Sequence, residues 1–149
     1  MSTNCVFTAD FINNTAALNS GGVNYRQTPH NITFNSNFIA NTAPKCGGVN
    51  FFESFENIIF NGEFIANSAI NGGAIAAGAG SIKEVSFKNN HAENGGAIYF
   101  SNAGEIINCS FADNKATGDD SKGGAIFFGN SFNPTTVTNC NLSFDWKCQ

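Results

Sequence analysis

One pattern is written five times in this chain, and it constrains the fold more than any other feature. The copies "NTAALNSGGVNYR", "NTAPKCGGVNFF", "NSAINGGAIAAG", "NHAENGGAIYF" and "NKATGDDSKGGAIFFG" share Asn-x-Ala, a variable gap and Gly-Gly. The glycine pairs begin at Gly21, Gly47, Gly72, Gly95 and Gly123. A recurrence of roughly 25 residues marks a stacked-repeat architecture. Upstream of each pair stands a phenylalanine: Phe11, Phe38, Phe64, Phe87 and Phe111. Three residues on comes Asn14, Asn41, Asn67, Asn90 or Asn114, and two further on Ala16, Ala43, Ala69, Ala92 or Ala116. Leu142 in "TNCNLSF" fills the Phe column of a sixth, unfinished copy.

Within each copy the local period is two. "ITFNSNF" places Ile32, Phe34 and Phe38 on one parity, and "IIFNGEF" places Ile58, Phe60 and Phe64 there. "IINCSF" does the same with Ile107, Cys109 and Phe111. Alternation of this kind reads as strand, not helix. A second β-prone run follows each glycine pair, as in "GGVNYR" and "GGAIYF". Pro29, Pro44 and Pro134 fall between strand-like runs, where a residue without an N–H does least harm. Hairpin turns of the Asn-Gly or Asp-Gly kind are too scarce for a meander. The economical solution is one coil per repeat, with equivalent residues stacked at about 4.8 Å. The Phe column then becomes an inward stack of rings. The Asn column sits at a corner, bonding its own turn and the Asn of the next coil. Gly-Gly supplies positive φ or close approach at the next corner. The gap before it is a surface loop, longest at residues 117 to 122.

Composition limits the function. The formal charge is −4 with seven Lys plus Arg, so no basic stripe exists to displace counterions from a nucleic acid. Charged residues are 12% of the chain, about half the usual share. The start, "MSTNCVFTAD", has no basic stretch leading into an apolar run and does not read as a signal peptide. No segment approaches the roughly 18 apolar residues of a membrane helix. Cys5, Cys46, Cys109, Cys140 and Cys148 are odd in number and irregularly spaced, which fits buried thiols better than a disulfide framework or a zinc site.

"FKNNHAENGGAI" and "FADNKATGDDSKGGAI" carry an FxxN element followed by GGAI. They resemble the repeats of chlamydial polymorphic outer-membrane proteins, and of adhesin-like surface proteins of methanogenic archaea. The resemblance runs from Phe11 to about Phe128, although the first two copies have GGVN in place of GGAI. It implies a right-handed parallel β-helix (solenoid) in a cell-surface or secreted passenger, often an adhesin. The expectation is therefore an all-β, right-handed parallel β-helix of five to six coils. It forms one domain over residues 1–149, cut from a longer repeat protein.

Parallel β-helices also include polysaccharide lyases and hydrolases, which need paired carboxylates or a cationic base with calcium. The outward position before the Phe column reads Asp10, Asn37, Glu63, Ser86, Ser110 and Asn141. Asp10, Asn37 and Glu63 form the candidate ligand face, able to hold a sugar, although solvated face residues are the preferred reading of them. "GDD" at residues 118–120 reads as a surface turn, and His30 and His91 as separate turn residues. "GAGS" at residues 78–81 is a Gly-rich turn, not a phosphate loop. Cys109 and Cys140 share one inward column in neighbouring coils, where either a thiol ladder or a disulfide fits. Sequons at Asn13, Asn31, Asn108 and Asn141 are compatible with a surface protein. The reading is a non-enzymatic adhesin-like module or rigid stalk. It has no cofactor, metal or nucleic-acid partner. Surface glycans or partner-cell proteins are the expected ligands. The alternatives are a carbohydrate-active enzyme fragment and a solenoid that associates end to end.

Overall fold

The computed structural model describes residues 3–130, 133–143 and 146–147. Among these, every strand ladder is parallel and no α-helix occurs. The chain winds as a parallel β-solenoid of about five coils. One six-stranded sheet runs the length of the stack, from Phe11–Ile12 through Phe38–Ile39, Glu63–Ile65, Ser86–Lys88 and Ser110–Ala112 to Asn141–Ser143. Its register puts Phe11 on Phe38, Phe38 on Phe64, Phe64 on Phe87, Phe87 on Phe111, and Phe111 on Leu142.

A second wall holds the strands that follow the glycines. Val23–Tyr25 pairs with Val49–Ser54, which pairs with the long strand Ile75–Lys83. That strand pairs in turn with Ile98–Phe100 and, through its second half, with Gly104–Ile107. A third sheet holds Thr3–Phe7, His30–Phe34 and Glu56–Phe60, and a fourth holds His91–Ala92, Lys115–Ala116 and Trp146–Lys147.

The core is built from stacked rings. Phe11 and Phe38 lie 4.8 Å apart at 3°, Phe38 and Phe64 4.7 Å apart at 4°, and Phe87 and Phe111 5.0 Å apart at 9°. A second ladder, Phe7–Phe34–Phe60, runs beside the first with ring distances of 4.9 and 5.2 Å. The two meet edge-on, at 69° for Phe34 with Phe38 and 72° for Phe60 with Phe64. Stacking within a ladder and edge contact between ladders both suit the ring quadrupole, and each pair adds about 0.5–1.5 kcal/mol beyond burial.

The register corrects the glycine alignment. Val49 stands on Ile75, so Gly47 stands on Gly73 and Cys46 on Gly72. The column shared by all five coils is therefore Gly21, Gly47, Gly73, Gly96 and Gly124, one place off from the apparent Gly-Gly alignment. A Cβ on Gly73 would meet the Gly96 carbonyl oxygen at 2.3 Å, and one on Gly96 the Gly124 oxygen at 2.1 Å, so close stacking requires glycine there. The position before it solves the corner in two ways. Gly72, Gly95 and Gly123 take φ of +61°, +62° and +67°. In the first two coils Ser20 and Cys46 occupy it instead. Ser20 Oγ donates to the Gly48 oxygen at 2.7 Å, and Cys46 Sγ to the Val49 oxygen at 3.0 Å. GGVN and GGAI are thus two turn chemistries at one corner.

Inward parity is also corrected in the fifth copy. Ile106, not Ile107, is fully buried, because Asn108 takes φ +53° and reverses the alternation before Cys109. A further left-handed column precedes the Asn ladder: Asn13, Ala40, Ala66, Asn89 and Asp113, with φ between 52° and 56°. Asn and Asp tolerate this region, whereas alanine has no side-chain bond to offset its strain there, which costs roughly 1–2 kcal/mol. Ala66→Asn should raise stability by about 1 kcal/mol, read as a higher urea midpoint. An unchanged or lower midpoint would contradict this account of the turn.

Candidate functional site

The Asn column is the most fully used polar feature in the chain. Asn41, Asn67, Asn90 and Asn114 are completely buried. Asn41 Oδ1 accepts the Asn14 backbone N–H at 3.0 Å and Asn14 Nδ2 at 2.8 Å. Asn41 Nδ2 donates to the Phe11 oxygen at 2.8 Å and to Asn67 Oδ1 at 3.0 Å. Asn67 and Asn90 repeat this pattern one coil further on. Each amide ties two neighbouring coils together and reaches the preceding coil's main chain, not its own turn as expected from the sequence.

Asp10, Asn37 and Glu63 stand in line on successive coils, just outside the Phe column. Asp10 Oδ1 accepts the Asn37 backbone N–H at 2.7 Å, and Asn37 Oδ1 accepts the Glu63 backbone N–H at 3.0 Å. Glu63 Oε1 then accepts Lys88 Nζ at 2.8 Å. The row therefore holds main chain as well as facing solvent. Its two carboxylates lie two coils apart, about 10 Å by strand spacing, just beyond the about 6.5–9.5 Å of an inverting glycosidase pair.

Lys88 beside Glu63, through its hydrogen bond and charge, holds the carboxyl below its ordinary value of 4.5. A depressed folded-state pKa contributes stability above the unfolded value, lost as pH falls through the folded one. Both side chains are more than a third exposed, so the contribution stays within about 1 kcal/mol. Removing it with Lys88→Ala should narrow the stability gap between the two proteins as pH is lowered from 6 towards 3. Melting curves across that range check it; a gap independent of pH would contradict the pairing.

The remaining candidates do not converge. His30 Nδ1 lies 3.1 Å from Glu56 Oε2, while His91 Nε2 contacts Thr117 Oγ1 in another part of the stack. Among the described residues no group of three His, Cys, Asp or Glu could hold a metal ion. Gly118, Asp119 and Asp120 are exposed in the longest loop. Cys5, Cys46, Cys109 and Cys140 are thiols joined by no disulfide; Cys148 lies outside the described residues. The Cys109 backbone N–H donates to Cys140 Sγ at 3.4 Å, and burial pushes the Cys109 thiol up to about 11. Cys46, wholly enclosed, is pushed up to about 12. Both shifts favour the protonated thiol over the nucleophilic thiolate. Asn13, Asn31 and Asn108 of the sequons all sit at positive φ on the exposed surface.

The sequence reading missed a cleft of about 570 Å³ lined by Asn57 to Gly62 on one side and Ser81, Lys83 and Glu84 on the other. It arises where the coil changes length. Ser54 stands on Ala79 and Phe64 on Phe87, so the stretch 55–63 faces the shorter stretch 80–86. Among the described residues the strand Glu56–Phe60 has its ladder partner in His30–Phe34 and none in the next coil. The contracted spacing between Phe64 and Phe87 was the available signal.

Residues 84–101 and 108–129 match the Chlamydia polymorphic membrane protein repeat. The chain carries repeats of this polymorphic-membrane-protein type. No curated protein and no solved structure matches it. The two matched polymorphic-membrane-protein repeats contain Phe87, Asn90 and Gly95, then Phe111, Asn114 and Gly123. These are ring ladder, amide ladder and left-handed corner glycine. The same two ladders continue through Asn14, Asn41 and Asn67, and through Phe11, Phe38 and Phe64, outside the matched segments.

Proposed function

We propose that this chain is a non-enzymatic, adhesin-like module or rigid stalk, displayed at a cell surface or secreted. The observation that carries the reading is the polymorphic-membrane-protein-type repeat in residues 84–101 and 108–129, set in a stack whose Phe and Asn ladders continue back to Phe11 and Asn14 and whose strand pairing continues on to Asn141–Ser143. Such a stack suits display. Side-chain bonds fix each coil to the next, so the walls keep their shape while the loops vary in length and chemistry. The expected partners are surface glycans or proteins of a partner cell.

Beads coated with the purified domain test this reading. They should adhere to partner cells, and soluble domain should compete them off. Coated beads that adhere no better than albumin-coated ones would sink it.

A further inference from the structure

The wall made by Val23–Tyr25 and Val49–Ser54 carries a solvent-facing hollow of about 310 Å³, lined by Asn19, Asn24, Arg26, Lys45, Phe52 and Glu53. It gathers scarce positive charge beside an exposed ring. The chain has a formal charge of −4 and seven Lys plus Arg, and Arg26 is its only arginine. That arginine stands here with a lysine. Among the described residues neither enters an ion pair. The phenylalanines of the two ladders are folded inward, yet Phe52 is 63% exposed. Lys45 Nζ lies over its ring, 5.6 Å from the centroid. Asn24 is braced from the next coil, with Asn50 Nδ2 donating to its Oδ1 at 2.7 Å. Glu53 accepts Thr28 Oγ1 at 3.4 Å.

We propose that this hollow binds a carboxylated sugar, a uronate or sialate-type residue of an acidic glycan. The proposal rests on the adhesin reading and names its ligand class. An exposed aromatic ring beside polar side chains suits a pyranose, which has an apolar C–H face and a rim of hydroxyls. Phe52 takes the face. Arg26 takes the carboxylate, for which its planar fork of donors is shaped. Lys45 supplies a second positive charge, held in place over the ring. Asn24 and Glu53 meet the hydroxyls. The volume falls at the lower end of the about 300–1,000 Å³ typical of small-ligand sites, right for one or two sugar units. A bare phosphate would leave Phe52 unused, and a neutral sugar would leave Arg26 and Lys45 unused.

Titration of the whole domain with sialyllactose, with trigalacturonate and with lactose, followed by NMR, tests the proposal. At least one acidic oligosaccharide should bind, and lactose should bind about tenfold more weakly or not at all. Arg26→Gln and Phe52→Ala should each weaken acidic-sugar binding about tenfold, at an unchanged melting temperature. Binding should also weaken with added salt. Equal affinity for lactose, no binding of either acidic sugar, or full binding by the Arg26→Gln, Phe52→Ala double variant would overturn it. Bead adhesion separates the two claims. Undiminished adhesion by the double variant removes the hollow and leaves the adhesin reading standing. Absence of adhesion by the unaltered domain removes the adhesin reading itself.

Discussion

Asn67→Leu should cost the fold about 4 kcal/mol, a large part of the roughly 5–15 kcal/mol that a domain has. The substitution keeps the branching of the side chain and removes all its polar atoms. Asn67 Oδ1 accepts both the Asn41 backbone N–H and Asn41 Nδ2 at 3.0 Å. Its Nδ2 donates to the Phe38 oxygen at 2.8 Å and to Asn90 Oδ1 at 3.0 Å. Two donors and two acceptors lose this partner at a fully buried site where water cannot replace it. Each buried donor left unpaired costs about 1–3 kcal/mol, and the carbonyl loss adds to this. Asn14→Leu is the control. Asn14 is exposed at the first rung, its side chain only donates, and its loss should cost under about 1 kcal/mol. Urea midpoints of the two variants decide the matter. Equal midpoints would mean that the ladder does not hold the coils together.

Phe64→Ala should cost about 3–5 kcal/mol, the usual range for truncating a buried aromatic. Phe64 is 1% exposed and covered on both faces, by Phe38 at 4.7 Å and Phe87 at 5.2 Å. Phe60 meets its edge at 5.3 Å. Stacked strands fix the spacing of those neighbours, so they cannot close into the cavity without breaking register. Phe52→Ala, at an exposed ring, should stay within about 0.5 kcal/mol. Denaturant unfolding of both variants checks the contrast; similar losses would contradict the ladder as the core's main support.

The two ladders named from the sequence were legible because a solenoid repeats its constraints. Phe, then Asn three places on, recurs at every coil, and only stacking makes such columns useful. What was not legible came from backbone conformation. Gly-Gly occurs in all five copies, yet Ser20 and Cys46 replace the first glycine's turn, and the pairs stand one residue out of register. Identical letters hid two different corners. Asn108 reverses side-chain parity through one left-handed residue, which alternation counting cannot detect. The second ring ladder, Phe7–Phe34–Phe60, ends where the coil shortens and so never shows as a five-fold column. The Arg26–Lys45–Phe52 hollow gathers residues from two coils, and no short window of sequence contains it.

In its proposed role this stack binds without catalysing. Purified domain should be incubated with a broad panel of neutral and acidic glycans, and the retained glycans eluted and weighed by mass spectrometry. Retention of at least one class at unaltered mass is the predicted result. Shortened or unsaturated products would contradict it, and would make the molecule a carbohydrate-active enzyme.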